Sequence, residues 1–171
     1  MEAGTWAPLT PGKPGAIFKT AFDAGIPLYL IGDDLALQSI NLSAAGQKTW
    51  EELLRLRLDP GGGGTGMNGV VTLVNTSHPV VNGPFGIVTN YFNYCDIDLA
   101  LHTGTGEVVV GTSGPADVVL AFEEPNRGTR SVTQDNCLYG DLDAAPGQVD
   151  PKDQAERKRM FQNAVTWLLR L

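Results

Sequence analysis

Ala24-Gly25-Ile26-Pro27-Leu28-Tyr29-Leu30-Ile31-Gly32-Asp33-Asp34-Leu35-Ala36 is the stretch that decides the fold. Residues 26–31 form an unbroken apolar run, the pattern of a strand covered on both faces. Gly32 allows a tight turn, and Asp33 and Asp34 then open a helix expected over 35–40. Upstream, Ile17, Phe18, Ala21 and Phe22 recur at helical spacing, which predicts a short amphipathic helix over 16–24 ended by Gly25. In α/β proteins the crevice beyond the carboxyl end of a strand is where ligands bind. In several hydrolase folds the same corner carries the nucleophile. This corner offers Gly32, Asp33 and Asp34 but no Ser or Cys.

Outward from the corner, Trp50, Leu53, Leu54 and Leu58 predict a helix over 47–58. Gly61–Gly64 is a four-glycine run with no Lys-Ser/Thr behind it, so it is a flexible loop and not a phosphate-binding loop. From Gly69 the texture becomes β. Strands are expected over 70–75, 87–94, 107–111, 118–122 and 127–133, the fourth central, with a turn-rich connection over 78–86. Gly111-Thr-Ser-Gly-Pro is a β-turn; it lacks the second spaced glycine of a serine elbow. Asp150 as cap and Pro151 at the first position open a closing helix with Met160, Phe161, Ala164, Trp167 and Leu168 as its core stripe. The chain thus divides into an irregular arm, 1–14, and one α/β domain, 15–171, with a mixed sheet.

The 171 residues suffice for one domain with a sizeable core. A formal net charge of −7 argues against nucleic-acid backbone binding, and the basic residues over 152–159 alternate with acids as on a solvated helix face. No apolar run approaches the roughly 20 residues needed to span a bilayer. The first residues lack the basic and apolar regions of a signal peptide, and no compartment follows from the sequence. Cys95 and Cys137 allow one disulfide or two thiols, and their spacing fits no zinc motif.

The order helix, Gly-Ile-Pro strand, tight corner, helix resembles the middle of class I glutamine-amidotransferase-like domains. Their segment is a Gly-x-Pro-apolar strand followed by a Gly-x-Cys-x-Gly elbow. His78, Pro79 and Gly83 resemble the His-Pro-x-x-x-Gly motif of the trehalose-utilisation-like branch, and Asn163-Ala-Val-Thr-Trp-Leu-Leu resembles its last helix. The resemblance implies a flavodoxin-like three-layer α/β domain with a mixed, largely parallel sheet and a C-terminal helix. Against that pattern, Gly32 or Asp33 stands where the nucleophilic Cys would be, no downstream His-x-Glu pair completes a triad, and the opening βα units are missing. The implied function is a non-catalytic, degenerate amidotransferase-like domain, a binding or structural module of a larger protein or assembly. Its partner would be another protein, the missing half of the domain, or a second copy.

Three constellations could carry chemistry. Asp33 and Asp34 could act as base or metal ligands; equally, one caps the helix and the other offsets its dipole. His78 could be a base assisting them, or its ring hydrogen-bonds within its turn. Asp96 and Asp98, two apart in an extended segment, could complete an oxygen-rich calcium or magnesium site with the corner; without it no cofactor is called for. The alternative function is accordingly a hydrolase using Asp33 and Asp34 with His78 or Asp96.

Overall fold

The computed structural model describes residues 14–32, 35–37, 39, 42–59, 69–94, 97–135 and 149–171. Helix α1 (Pro14–Asp23) leads into β1 (Leu28–Ile31); α2 (Ala44–Leu54) is followed by β2 (Leu56–Leu58) and β3 (Gly69–Leu73). Short strands β4 (Asn82–Gly83), β5 (Gly86–Ile87), β6 (Tyr91–Asn93) and β7 (Ala100–His102) precede β8 (Val108–Ser113), β9 (Ala116–Glu123), β10 (Arg130–Gln134) and α3 (Pro151–Leu169). The main sheet is mixed, in the order β1-β10-β9-β8-β3-β6. β2 pairs with β7, and β4 with β5.

Period-2 alternation sorts the sheet's side chains onto two cores. Leu28 and Leu30 of β1, with Leu120 and Phe122 of β9, pack with Phe22 of α1 and with Trp50, Leu53 and Leu54 of α2. Tyr29, Val119, Ala121 and Val132 face the other way, onto Met160, Ala164 and Leu168 of α3. The expectation of a strand covered on both faces is therefore met by β1. Central β9 is buried from Ala116 to Phe122. No helix among the described residues is long and apolar enough to cross a membrane.

The sheet is not largely parallel. Among the described residues only β1 and β10 run parallel, Leu28 to Ser131 through Ile31 to Gln134; the other described pairings in the sheet are antiparallel. Connection length is the cause, because antiparallel neighbours can be joined by a tight turn and parallel ones need a long crossover. β8 and β9 are joined by Gly114-Pro115 alone, with Ser113 opposite Ala116. Gly114 has φ +54, which the first position of a tight hairpin turn requires and glycine adopts freely.

Two predicted helices also change. Over 35–40 the described residues make 3₁₀-type bonds instead, Ser39 N–H to Ala36 C=O and Leu42 N–H to Ser39 C=O. The predicted helix over 47–58 ends at Leu54, and Leu56–Leu58 pair with β7 as a strand, because the fully buried Leu56 belongs to the sheet side of the core.

α3 carries a polar stripe that the apolar periodicity did not reveal. Asp153, Glu156, Arg157 and Asn163 are buried alongside Met160, Ala164 and Leu168. Asp153, Glu156 and Asn163, with half-buried Arg159, hydrogen-bond the backbone of residues 85–94. Asp153 Oδ1 accepts from Phe92 N–H (3.0 Å), Glu156 Oε2 from Thr89 N–H (2.7 Å), and Asn163 Oδ1 from Phe85 N–H (3.1 Å). Asn163 Nδ2 donates to Gly86 C=O (3.0 Å), and Arg159 Nη1 to Ile87 C=O (3.2 Å). Edge strand β6 and the chain before it are thus satisfied by a helix rather than by another strand. Gly83 permits the contact: a Cβ there would lie 2.5 Å from Asn163 Oδ1 and 2.6 Å from Pro79 C=O.

Replacing Asn163 by Ala leaves Phe85 N–H and Gly86 C=O without partners. It should lower stability by about 2–4 kcal/mol in urea denaturation. Gly83→Ala should cost about 1–3 kcal/mol through the same clash, and the double variant less than the sum of the two.

Candidate functional site

Because β1 and β10 are parallel, their carboxyl ends share one edge, and the corner is built there. Gly32 N–H continues the ladder to Gln134 C=O (3.3 Å). Asp33 and Asp34 lie outside the described residues, as do Cys95, Asp96 and Cys137. Past the corner, Leu35 N–H donates to Asp135 Oδ1 (3.2 Å) and Leu37 N–H to Asp98 Oδ2 (2.8 Å). Leu35 C=O accepts from the Trp50 indole N–H (2.9 Å). Those bonds explain why this segment does not wind as an α-helix: its amides and carbonyl are held by three other parts of the chain.

Asp98 and Asp135 are both buried, at 3% and 0% exposure. A buried carboxylate is tolerable when backbone N–H groups bond it, and such charge-assisted bonds are among the stronger ones. Asp98, expected as a metal ligand, here anchors the chain after the corner. Among the described residues no group of three or more His, Cys, Asp or Glu side chains could hold a metal ion. Beside this edge, Tyr29 O–H donates to Gln134 Oε1 (2.5 Å), joining half-buried Tyr29 to fully buried Gln134.

His78 lies elsewhere. Its Nδ1 accepts from Val80 N–H (3.2 Å), and its C=O accepts from Val81 and Asn82 N–H, which folds the chain back into β4. The hydrogen bond assigns the proton of the neutral ring to Nε2. Its ring meets the Trp167 ring edge-on at 5.0 Å, and the Arg130 guanidinium sits 4.7 Å from that same Trp167. Arg130 opens β10, whereas the corner follows Ile31 opposite Gln134, the last residue of that strand. Four extended steps, about 13 Å, separate the two ends of β10. His78 and the corner therefore sit at opposite ends of the sheet.

Two features escaped the sequence reading. Asp135 follows β10 directly and carried no local motif. His102 and Asp117 are 15 residues apart, yet Asp117 Oδ2 accepts from His102 N–H (2.8 Å) and lies 2.7 Å from its Nδ1. That pair joins the end of β7 to the start of β9, with the imidazole half-exposed. Only the register of the sheet brings the two residues together.

No family model, no curated protein and no solved structure matches the chain. The corner is rich in oxygen acceptors, and the described acids beside it, Asp98 and Asp135, are engaged by backbone amides.

Burial, and then the nearby Arg130, hold the His78 imidazole below its ordinary pKa of 6.5. Protonation would also turn Nδ1 from an acceptor toward Val80 N–H into a donor. The unfolded chain therefore binds this proton more readily. The contribution is fully present above about pH 6.5 and falls as pH drops toward the lower folded value. Urea denaturation between pH 5 and pH 7.5 should show stability rising with pH, with a smaller slope in His78→Asn.

Proposed function

We propose that this chain is a non-catalytic, amidotransferase-like domain, a binding or structural module within a larger protein or assembly, of flavodoxin-like descent. One observation carries the reading. At the corner where such folds present a nucleophile, the chain has no Ser or Cys, and the described carboxylates beside it, Asp98 and Asp135, bond the backbone of Leu35 and Leu37. The parallel β1–β10 pair and the helices on both faces of the sheet support the fold part of the proposal. The antiparallel remainder of the sheet is a departure from the family pattern.

The two ends of the sheet differ in a way that fits a module. β6 has its Phe92 N–H bonded by α3, whereas among the described residues β1 pairs with no strand besides β10. Period-2 alternation turns the backbone groups of Ile31 away from β10, since Gly32 N–H points toward it. An added strand, from a partner protein or a second copy, would meet its hydrogen bonds there.

The test is a hydrolysis screen with glutamine, p-nitrophenyl esters, phosphate monoesters and glycosides, with and without magnesium or calcium. The expected result is no turnover above that of an Asp33→Asn, Asp34→Asn double variant. Turnover abolished in that variant would replace this reading with the carboxylate hydrolase.

A further inference from the structure

Arg55 occupies a position that favours glycine. It ends α2 with φ +63, in the left-handed region, while its N–H caps Glu51 C=O. Glycine is the usual residue there, and a side chain costs about 1–2 kcal/mol. The guanidinium lies over the Phe122 ring, 3.6 Å from its centroid, and Nη1 donates to Thr105 Oγ1 (3.0 Å). Nε is buried with no hydrogen-bond partner. Among the described residues no carboxylate is within ion-pair distance of Arg55; Glu107, Glu52 and Glu124 act on it from farther off. Arg170 provides the contrast. It also has positive φ, 58°, but its Nη2 bonds Glu123 Oε1 and Gly128 C=O, both within 3 Å. Strained, incompletely paired side chains concentrate at ligand sites.

Arg55 also lines a cavity of about 240 Å³ between α1, the end of α2, the β7–β8 loop and the β9–β10 turn. Its rim has three cations, Lys19, Arg55 and Arg127, and three acids, Asp23, Glu52 and Glu124; Phe22 and Leu53 add apolar wall. Most of these charges answer each other. Lys19 bonds Asp23, and Arg127 bonds Glu124. Two are left under-used and oppositely charged: Arg55, and half-exposed Glu52, whose nearest cation is Lys48 at 3.9 Å. The cavity is smaller than the roughly 300–1,000 Å³ of drug-sized sites. A ligand here must be small, must carry both signs, and gains from a short apolar part.

We propose that this cavity binds a free α-amino acid, its carboxylate on Arg55 and its ammonium on Glu52. Arg suits the carboxylate because its planar donor fork matches it, and the Phe122 ring beneath holds the guanidinium in place. The strained backbone at Arg55 is then the local cost of setting a cation at the mouth of the cavity. The inference goes beyond the reading at the corner and does not depend on it; a hydrolytic corner would leave the measurement below unchanged.

The test is a titration of the ¹⁵N-labelled full chain with L-alanine, acetate and ethylammonium, followed by NMR at the Arg55 Nε–H and at the amides of Glu52, Arg55 and Thr105. L-Alanine should give saturating shifts there, with acetate and ethylammonium at least about tenfold weaker. Arg55→Lys should weaken L-alanine by about tenfold or more, because a point-charge ammonium replaces the fork. Glu52→Gln should weaken L-alanine without changing acetate; being half-exposed, it carries the test if Arg55→Lys does not fold. Acetate as tight as L-alanine, indifference to both substitutions, or no saturating shift with any of the three probes would each overturn the proposal.

Discussion

The contact on which this structure most depends is the docking of a polar helix stripe onto unpaired backbone. Residues 85–94 contain two short strand pieces separated by irregular chain, so a neighbouring strand could not pair with all of it. Side chains of α3 can, because each reaches a different backbone group. Asp153, Glu156, Arg159 and Asn163 follow at helical spacing and meet Phe92, Thr89, Ile87 and the Phe85–Gly86 turn in reverse order. The helix thus runs antiparallel to the segment it serves. Met160 and Ala164 fill the same face with apolar volume, so packing and hydrogen bonding hold the helix in one register.

This contact also explains where the sequence was legible. The outline of α3 was readable from local chemistry: Asp150 caps Lys152 N–H, Pro151 takes the first position, and Met160, Ala164 and Leu168 are buried. Its polar stripe was not readable, since Asp153 and Glu156 look like solvated charges until a backbone donor is placed beside them. β1 was readable because Leu28 and Leu30 pack into one layer and Tyr29 against the other. The helix expected over 35–40 failed for the opposite reason. Its periodicity was adequate, but Asp98, Asp135 and Trp50, remote in sequence, hold its backbone groups. The mixed sheet was readable, but the largely parallel arrangement that the family resemblance implies failed, because tight turns such as Gly114-Pro115 join antiparallel neighbours.

The same logic applies to the site. Residues that stand together in sequence, such as His78-Pro79, were visible as a motif, and the structure gives them the work of turning the chain toward α3. Residues that stand together only in space, such as Asp135 with Leu35 or His102 with Asp117, left no local trace. The periodicity over 47–58 places Arg55 inside a helix; its left-handed backbone follows from the pairing of Leu56 with β7, which no local pattern announces.

The reliance of residues 85–94 on α3 has a consequence for the order of synthesis. A ribosome completes this segment about sixty residues before Asp153 to Asn163 emerge. Until then, the Phe85, Thr89 and Phe92 N–H groups and the Gly86 and Ile87 carbonyls lack their α3 partners, and the apolar side of β3 and β6 lacks its cover. β1 waits longer still for Ser131–Gln134, about a hundred residues away in sequence. The segment is therefore made well before the helix that completes it, and its final shape waits for α3 to dock.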